Sequence, residues 1–224
     1  MPRGARASTA SPHPALAQAA SAWLNRAVSL SRTPGEEWSG RRLLRLVVLA
    51  VAVVITTRLV AHPANGSALD LVNLAFHEAG HVFLRPFGHI LHVLGGTLFQ
   101  LGVPALLVVY FLTRRRDPFA AAICLWWLGE SLINVATYMA DARDLALPLV
   151  GGGEHDWNEL FFRFGLLAEP RVAAVSSTTR GLGIVTMLAG LAWGLVFVLP
   201  ARLRSRLVLR LATGAPWALR LFSE

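Results

Sequence analysis

The chain contains no lysine and a single cysteine, and only 15% of its 224 residues are charged. A soluble domain devotes nearer a quarter of its residues to charge, so an ordinary water-soluble globule is a poor match. Cys124, lying alone in an apolar run, excludes an intramolecular disulfide and reads as a small packing residue. No apolar run of signal-peptide type precedes Leu43, so a cleaved secretory signal is not expected. What fills the chain instead is hydrocarbon. Hydrophobic residues make up 54% of it, and the mean hydropathy is +0.52.

Several apolar runs reach the length of about 20 residues that a helix needs to cross a bilayer. Leu43–Ala61, Phe119–Ala140 and Leu182–Pro200 are the clearest, and Ile90–Thr113 is long enough but carries Gly95, Gly96, Gly102 and Pro104. Leu69–Leu84 is shorter. The expected fold is an all-α polytopic membrane protein with about four spanning helices. Its parts would be a basic cytoplasmic arm (1–42), an embedded domain (43–200) and a basic cytoplasmic tail (201–224).

The net charge of +8 comes entirely from arginine. These arginines cluster beside apolar runs, which points to membrane topology and anionic headgroups and not to nucleic acid. Six precede Leu43, three follow Thr113 and five follow Pro200, whereas 141–181 holds four against six acids. Both termini and Arg114–Arg116 are therefore expected inside, with 62–68 and 141–181 outside. This parity leaves one run between Leu69 and Thr113 unable to span. The expectation is a short helix stopping at Arg85-Pro86, followed by a re-entrant or non-helical segment from Gly88 to Gly102. Ala15–Leu30 reads as a weakly amphipathic surface helix or as disorder.

Inside the short run lies "FHEAGHVF", residues 76–83. Residues four apart share a helix face, so His77 and His81 can both turn a ring nitrogen to one ion. Glu78, beside the first, is placed to take a proton from water. This is the H-E-x-x-H pattern of zinc peptidases, and ionisable groups in an apolar helix are costly unless paired or functional. Satisfied core histidines are the reading for a lone histidine; the complete triplet with the small Ala79-Gly80 pair puts metal binding ahead.

"HEAGH", the glycine-rich "LGGTLFQLGVP" and a later polar-studded span together resemble the intramembrane zinc metallopeptidases of site-two-protease type, over roughly residues 69–160. The resemblance implies a Zn2+-dependent endopeptidase acting on membrane proteins or peptides in or near a span. His77 and His81 would be ligands and Glu78 the base. The expected location is a bilayer of the bacterial inner-membrane kind. That family's asparagine–proline–aspartate–glycine-like stretch has no counterpart, since no Asp-Gly dipeptide occurs. A non-catalytic metal holder and a transporter-like protein with a polar path are the alternatives.

Zinc with two imidazoles and an open position needs one more protein donor. His155, after a triple glycine, is expected ahead of Asp141, which follows Asn134 on the later span. Asp156 and Glu159 have the D-x-x-E spacing of a capping box, which assigns Asp156 a structural task at the start of an interfacial helix. Glu130, Asn134, Thr137 and Asp141 form one polar stripe. Glu130 reads either as support for a ligand imidazole or as the partner of Arg85 or an amide. Thr97 and Gln100 would hydrogen-bond substrate or satisfy broken backbone, and His62, His89 and His92 read as interfacial. The orientation has a direct test. With Cys124 replaced, an impermeant thiol reagent should label a cysteine introduced at Ser176 in intact cells but not one at Ser205; the reverse pattern would invert the topology.

Overall fold

A computed structural model describes residues 40–149, 154–200 and 203–204; the expectations for 1–39 and 205–224, including the helix at 15–30, lie outside the described residues. Helices and turns account for all regular structure among them. One unit, Gly40–Val198, holds the six α-helices named below. In the other, Leu203 and Arg204 turn back to donate to the Pro200 carbonyl.

The helices run α1 (Gly40–Ala61), α2 (Asp70–Leu84), α3 (His89–Tyr110), α4 (Pro118–Ala140), α5 (Asp156–Arg163) and α6 (Glu169–Val196). Four of them, α1, α3 with the turn that follows it, α4 and α6, are long and apolar enough to cross a membrane. The shorter α2, at 15 residues, reaches only about 22 Å at 1.5 Å per residue, less than a hydrocarbon core of about 30 Å. It ends where expected, in a 3-10 turn at Arg85–Phe87 with Pro86 inside. Gly88, at φ +101°, then reverses the chain.

The expected re-entrant segment is not there. His89 to Gly102 lies in a continuous helix that Gly88 opens and that runs on to Tyr110, and Pro104 is buried within that same helix. Its glycines serve packing. At Gly95 a Cβ would lie 2.5 Å from the Gly80 carbonyl oxygen, and at Gly80 one would lie 2.0 Å from that of Gly95. The absent side chains let the backbones of α2 and α3 touch, as small residues do in membrane helix pairs. In apolar surroundings a helix also satisfies its own peptide groups, which an open segment cannot do.

The last span also differs from the expectation. It starts at Glu169, not Leu182, so 169–181 is helix and not loop. The polar run there is compatible with helix because Ser176, Ser177 and Thr179 each donate to a carbonyl three or four residues back. Ser176 is buried, which makes the exposed Ser177 the better labelling position.

Helix α4 is the centre of the bundle. Asp117 caps it by accepting from the Ala120 N–H, with Pro118 at the first position. Alongside it α1 runs parallel: the Arg45 guanidinium sits over the Phe119 ring, and further along Trp126 Nε1 donates to Thr56 Oγ1. Helix α6 runs antiparallel, with Gly190 against Trp126 and Gly183 against Gly129. Helix α3 is antiparallel too, Gln100 lying beside Asn134. Arg42, Arg45 and the Asp117 turn therefore share one end of the bundle, and α5 with the α2–α3 turn occupies the other.

Adding a methyl at Gly80 should force α2 off α3. Gly80→Ala is expected to lower stability by about 1–3 kcal/mol, the usual cost of overpacking. At Gly102, where a Cβ meets open space, alanine should be neutral or slightly stabilising through helix propensity. Thermal unfolding of both variants in detergent, followed by circular dichroism, checks the contrast.

Candidate metal centre

The α2–α3 contact decides where the motif histidines point. A Cβ at Gly96 would lie 2.5 Å from the His77 ring, so the glycine leaves the space the imidazole fills. His77 Nδ1 then meets Gln100 Oε1 at 3.2 Å. One turn on, His81 Nδ1 donates to the His92 carbonyl at 2.8 Å, and His92 Nδ1 returns a bond to the His81 carbonyl at 2.9 Å. Both Nδ1 atoms are thus occupied on the α3 side, and both Nε2 atoms face the other way.

Asp156 meets them there. Its Oδ2 lies 2.8 Å from His77 Nε2 and 3.2 Å from His81 Nε2. His77, His81 and Asp156 form a group able to hold a metal ion, each offering one ligand atom within 4.8 Å of the others. The donor chemistry fits a cation. His81 Nδ1 faces a carbonyl that can only accept, so it carries a proton, and in the neutral ring Nε2 is a lone pair. Lone pairs converging on a carboxylate oxygen need protons or a metal between them.

Without metal, protons do this. The hydrogen bond to Asp156 raises the His81 pKa above its ordinary 6.5, outweighing burial, which acts the other way. Burial pushes the Asp156 carboxyl up, but the hydrogen bonds from His77 and His81 outweigh it and hold it below its ordinary 3.8.

The structure brings Asp156 to the motif pair and places His155 and Asp141 elsewhere. His155, not Asp156, is the N-cap of α5, its Nδ1 accepting from the Asn158 N–H at 3.1 Å. Its ring lies against Tyr138, and its Nε2 is 3.5 Å from Asp141 Oδ2. Burial lowers the His155 pKa. Asp141 ends α4 and accepts from the Ala146 and Leu147 N–H groups. It thereby ties down a turn in which Leu145 takes a positive φ of 52°. With the cap supplied by His155 and the turn by Asp141, Asp156 is left facing the histidines. Tyr138 steadies it by accepting its backbone N–H at 3.1 Å.

Glu130 is remote from either motif imidazole in bonding terms. Its carboxylate accepts from Ser67 Oγ at 2.7 Å and Asn73 Nδ2 at 2.9 Å, fixing the start of α2 to α4, so the amide pairing is the one that holds. Glu78 is exposed, and its side chain makes no hydrogen bond among the described residues. It lines a cavity of about 730 Å³ together with His77, His81, Asp156, Tyr138 and Thr137. Leu59, Leu71, Leu74 and Ile133 supply apolar wall. His92 sits behind the site as a backbone tie, Thr97 is buried on α3, and His89 pairs with Glu159 at its edge.

No family model matches the chain, and no curated protein or solved structure matches it either.

The pair of pKa shifts sets a pH window for chelator-treated protein. His81, with a raised pKa, contributes stability fully below 6.5 and loses it as pH rises through the higher folded value. Asp156 contributes above 3.8 and loses it as pH falls through its lower folded value. Asp156→Asn should therefore lower Tm most between those limits, with the gap from wild type closing at more alkaline pH. Melting curves across pH test this; coincident curves throughout would contradict a stabilising contact between the histidines and Asp156.

Proposed function

We propose that the protein is a zinc-dependent intramembrane endopeptidase, with His77, His81 and Asp156 holding the metal and Glu78 as general base. The observation that carries this reading is the convergence of three potential ligand atoms in a cavity that the Glu78 carboxylate also lines. Two imidazoles and a carboxylate are a donor set of catalytic zinc sites, which keep the fourth position open. The resemblance of "HEAGH" to site-two-type peptidases assigns the same roles to His77, Glu78 and His81.

When bound, zinc supplies Lewis acidity toward a substrate carbonyl and toward water. The chain's own residues do the rest. Glu78 follows the first ligand by one residue and accepts the proton of the attacking water, then delivers it to the leaving amine. Gln100 and the His92 carbonyl hold the imidazoles with Nε2 forward. The cavity's mixture of leucines with Asn134, Thr137 and Tyr138 suits a peptide whose backbone is polar and whose side chains are apolar. Its place beside four apolar helices suits a substrate that arrives in the bilayer. Large exposed side chains on these helices, such as Leu43, Leu106, Val109, Leu182 and Val185, support a lipid surround. By the arginine distribution the cavity opens on the outer side of a plasma membrane. The unbroken α3 lacks the discontinuous helix that would suit the transporter-like reading.

Elemental analysis of detergent-purified protein should give about one zinc per chain. His77→Ala, His81→Ala and Asp156→Ala should each lose most of it, whereas His155→Ala and Asp141→Ala should keep the metal and lose stability instead. Glu78→Gln should retain zinc but lose proteolysis of a model membrane substrate by about 10²-fold or more. Zinc content unchanged in Asp156→Ala with helicity intact would rule out this ligand set. Retained proteolysis in Glu78→Gln would remove Glu78 as the base.

A further inference from the structure

The first half of α6 carries a polar face that shares no residue with the cavity at the candidate metal centre. Glu169, Ala173, Ser176, Ser177 and Arg180 recur at helical spacing. With Ala140, the last residue of α4, they help line a smaller pocket of about 280 Å³. One end of this pocket holds a settled charge, because the Glu169 carboxylate accepts from Arg143. The other end does not. Arg180 lies about 16 Å along α6 from Glu169 at 1.5 Å per residue, inside a helix long and apolar enough to cross a membrane. It is half-buried, its Nε is enclosed, and none of its nitrogens meets an acceptor among the described residues. The arginines nearby differ: Arg163 donates to Glu159 and Arg171 to the Gly165 carbonyl, as Arg143 does to Glu169.

An arginine in an apolar span is costly unless it pairs or reaches a polar boundary. No acid among the described residues pairs with Arg180, which leaves the pocket that its side chain lines as the route by which a counter-ion reaches it. The enclosed Nε leaves the two terminal nitrogens to face that ion, and a guanidinium suits an oxyanion with two oxygens to offer. The serines beside it are loosely held. Ser176 Oγ and Ser177 Oγ reach the Ala173 and Ala174 carbonyls only at 3.3 and 3.2 Å, beyond the roughly 2.5–3.0 Å of an ordinary O–H···O bond. Thr179 and Thr186 on the same helix close on theirs at 2.9 and 2.8 Å. Ser177 is exposed, so its hydroxyl can turn to a ligand oxygen at little cost. Further along α6, Val185 and Leu188 are exposed on the side that Ser177 takes, an apolar track leading on from the pocket.

We propose that this pocket binds the phosphate of a membrane phospholipid, with Arg180 as the charged donor, Ser177 beside it and an acyl chain along Val185 and Leu188. The ligand class follows from what surrounds the helix there. A dissolved anion would have to leave water for apolar surroundings, whereas a lipid brings its phosphate with its own hydrocarbon. The site is separate from the metal reading and rests on α6 as a span.

The test uses full-length protein purified in detergent and stripped of lipid. Three probes are compared: dioleoyl phosphatidylglycerol, dioleoylglycerol (the same chains without phosphate) and inorganic phosphate. Binding is followed by native mass spectrometry and by the rise of Tm on titration. Wild type should hold one phosphatidylglycerol per chain in preference to dioleoylglycerol, and inorganic phosphate should leave its Tm unchanged. Arg180→Gln should bind the phospholipid about 10- to 100-fold more weakly, the effect of losing a hydrogen bond to a charged group. Its lipid-free Tm should equal or exceed that of wild type, since an unpaired charge has been removed from an apolar helix, so lost binding is not lost folding. Arg180→Lys keeps the charge without the fork and should recover part of the affinity. Arg171→Gln, outside the pocket, should bind as wild type does.

Equal binding of phosphatidylglycerol by wild type and Arg180→Gln would reduce the contact to ordinary surrounding lipid and overturn the site. Equal binding of phosphatidylglycerol and dioleoylglycerol by wild type would do the same. Stabilisation by inorganic phosphate alone, lost in Arg180→Gln, would place a dissolved anion there and overturn the lipid assignment. A chain that stays monodisperse without detergent would remove the span itself, and the site with it.

Discussion

Gly80 and Gly95 bring two backbones into contact, and the geometry of the motif follows from that contact. With any side chain between them, α2 would stand further from α3. His77 would leave the slot over Gly96 and lose Gln100, and His81 would lose the His92 carbonyl. Neither imidazole would then be held with Nε2 forward. The glycine within the H-E-x-x-H run thus does a different task from its neighbours. It sets the distance at which their chemistry operates.

The buried polar groups follow from how helices pack without water. Asn73 has almost no exposure, yet each of its polar atoms is used: it donates to Glu130 and accepts from Trp127 Nε1 and Ser131 Oγ. Glu130 takes Ser67 as well. Such groups in an apolar interior are tolerated when fully bonded and costly when partly bonded. The polar stripe on α4 therefore divides by neighbour. Glu130 and Asn134 bond to α2 and its approach, Thr137 donates to the Ile133 carbonyl, and Asp141 ties the turn beyond.

Much of the bundle was legible from the sequence because long apolar runs at bilayer length admit few alternatives. The end of α2 at Arg85-Pro86 and the pairing potential of His77 and His81 are local properties, set by proline geometry and helix periodicity. The re-entrant segment failed because glycine has two meanings. It breaks a helix in water, and it lets helices touch when packed, and composition alone does not separate them. The residue that the structure brings to the motif pair escaped the sequence for a related reason. Asp156 has the spacing of a helix cap, but a cap is claimed by whichever residue the incoming backbone puts first, and here that is His155. Its approach to His77, 79 positions earlier, is a tertiary fact. The hydrogen bonds joining His77, Gln100, Asn134 and Asp70 are likewise spread over three helices and leave no contiguous trace.

The reciprocal bonds between His81 and His92 clasp the two arms of one hairpin, while Asp156 rides on an eight-residue helix held by Tyr138 and by Asn158 on the Ala142 carbonyl. The three candidate ligand atoms thus belong to two separately anchored pieces. Displacing α5 would withdraw the carboxylate and leave both imidazoles in register, so the ligand set can exist as a preassembled pair awaiting its third member. Assembly in that order would make the position of a short helix, and not the motif itself, the determinant of when the candidate centre is complete.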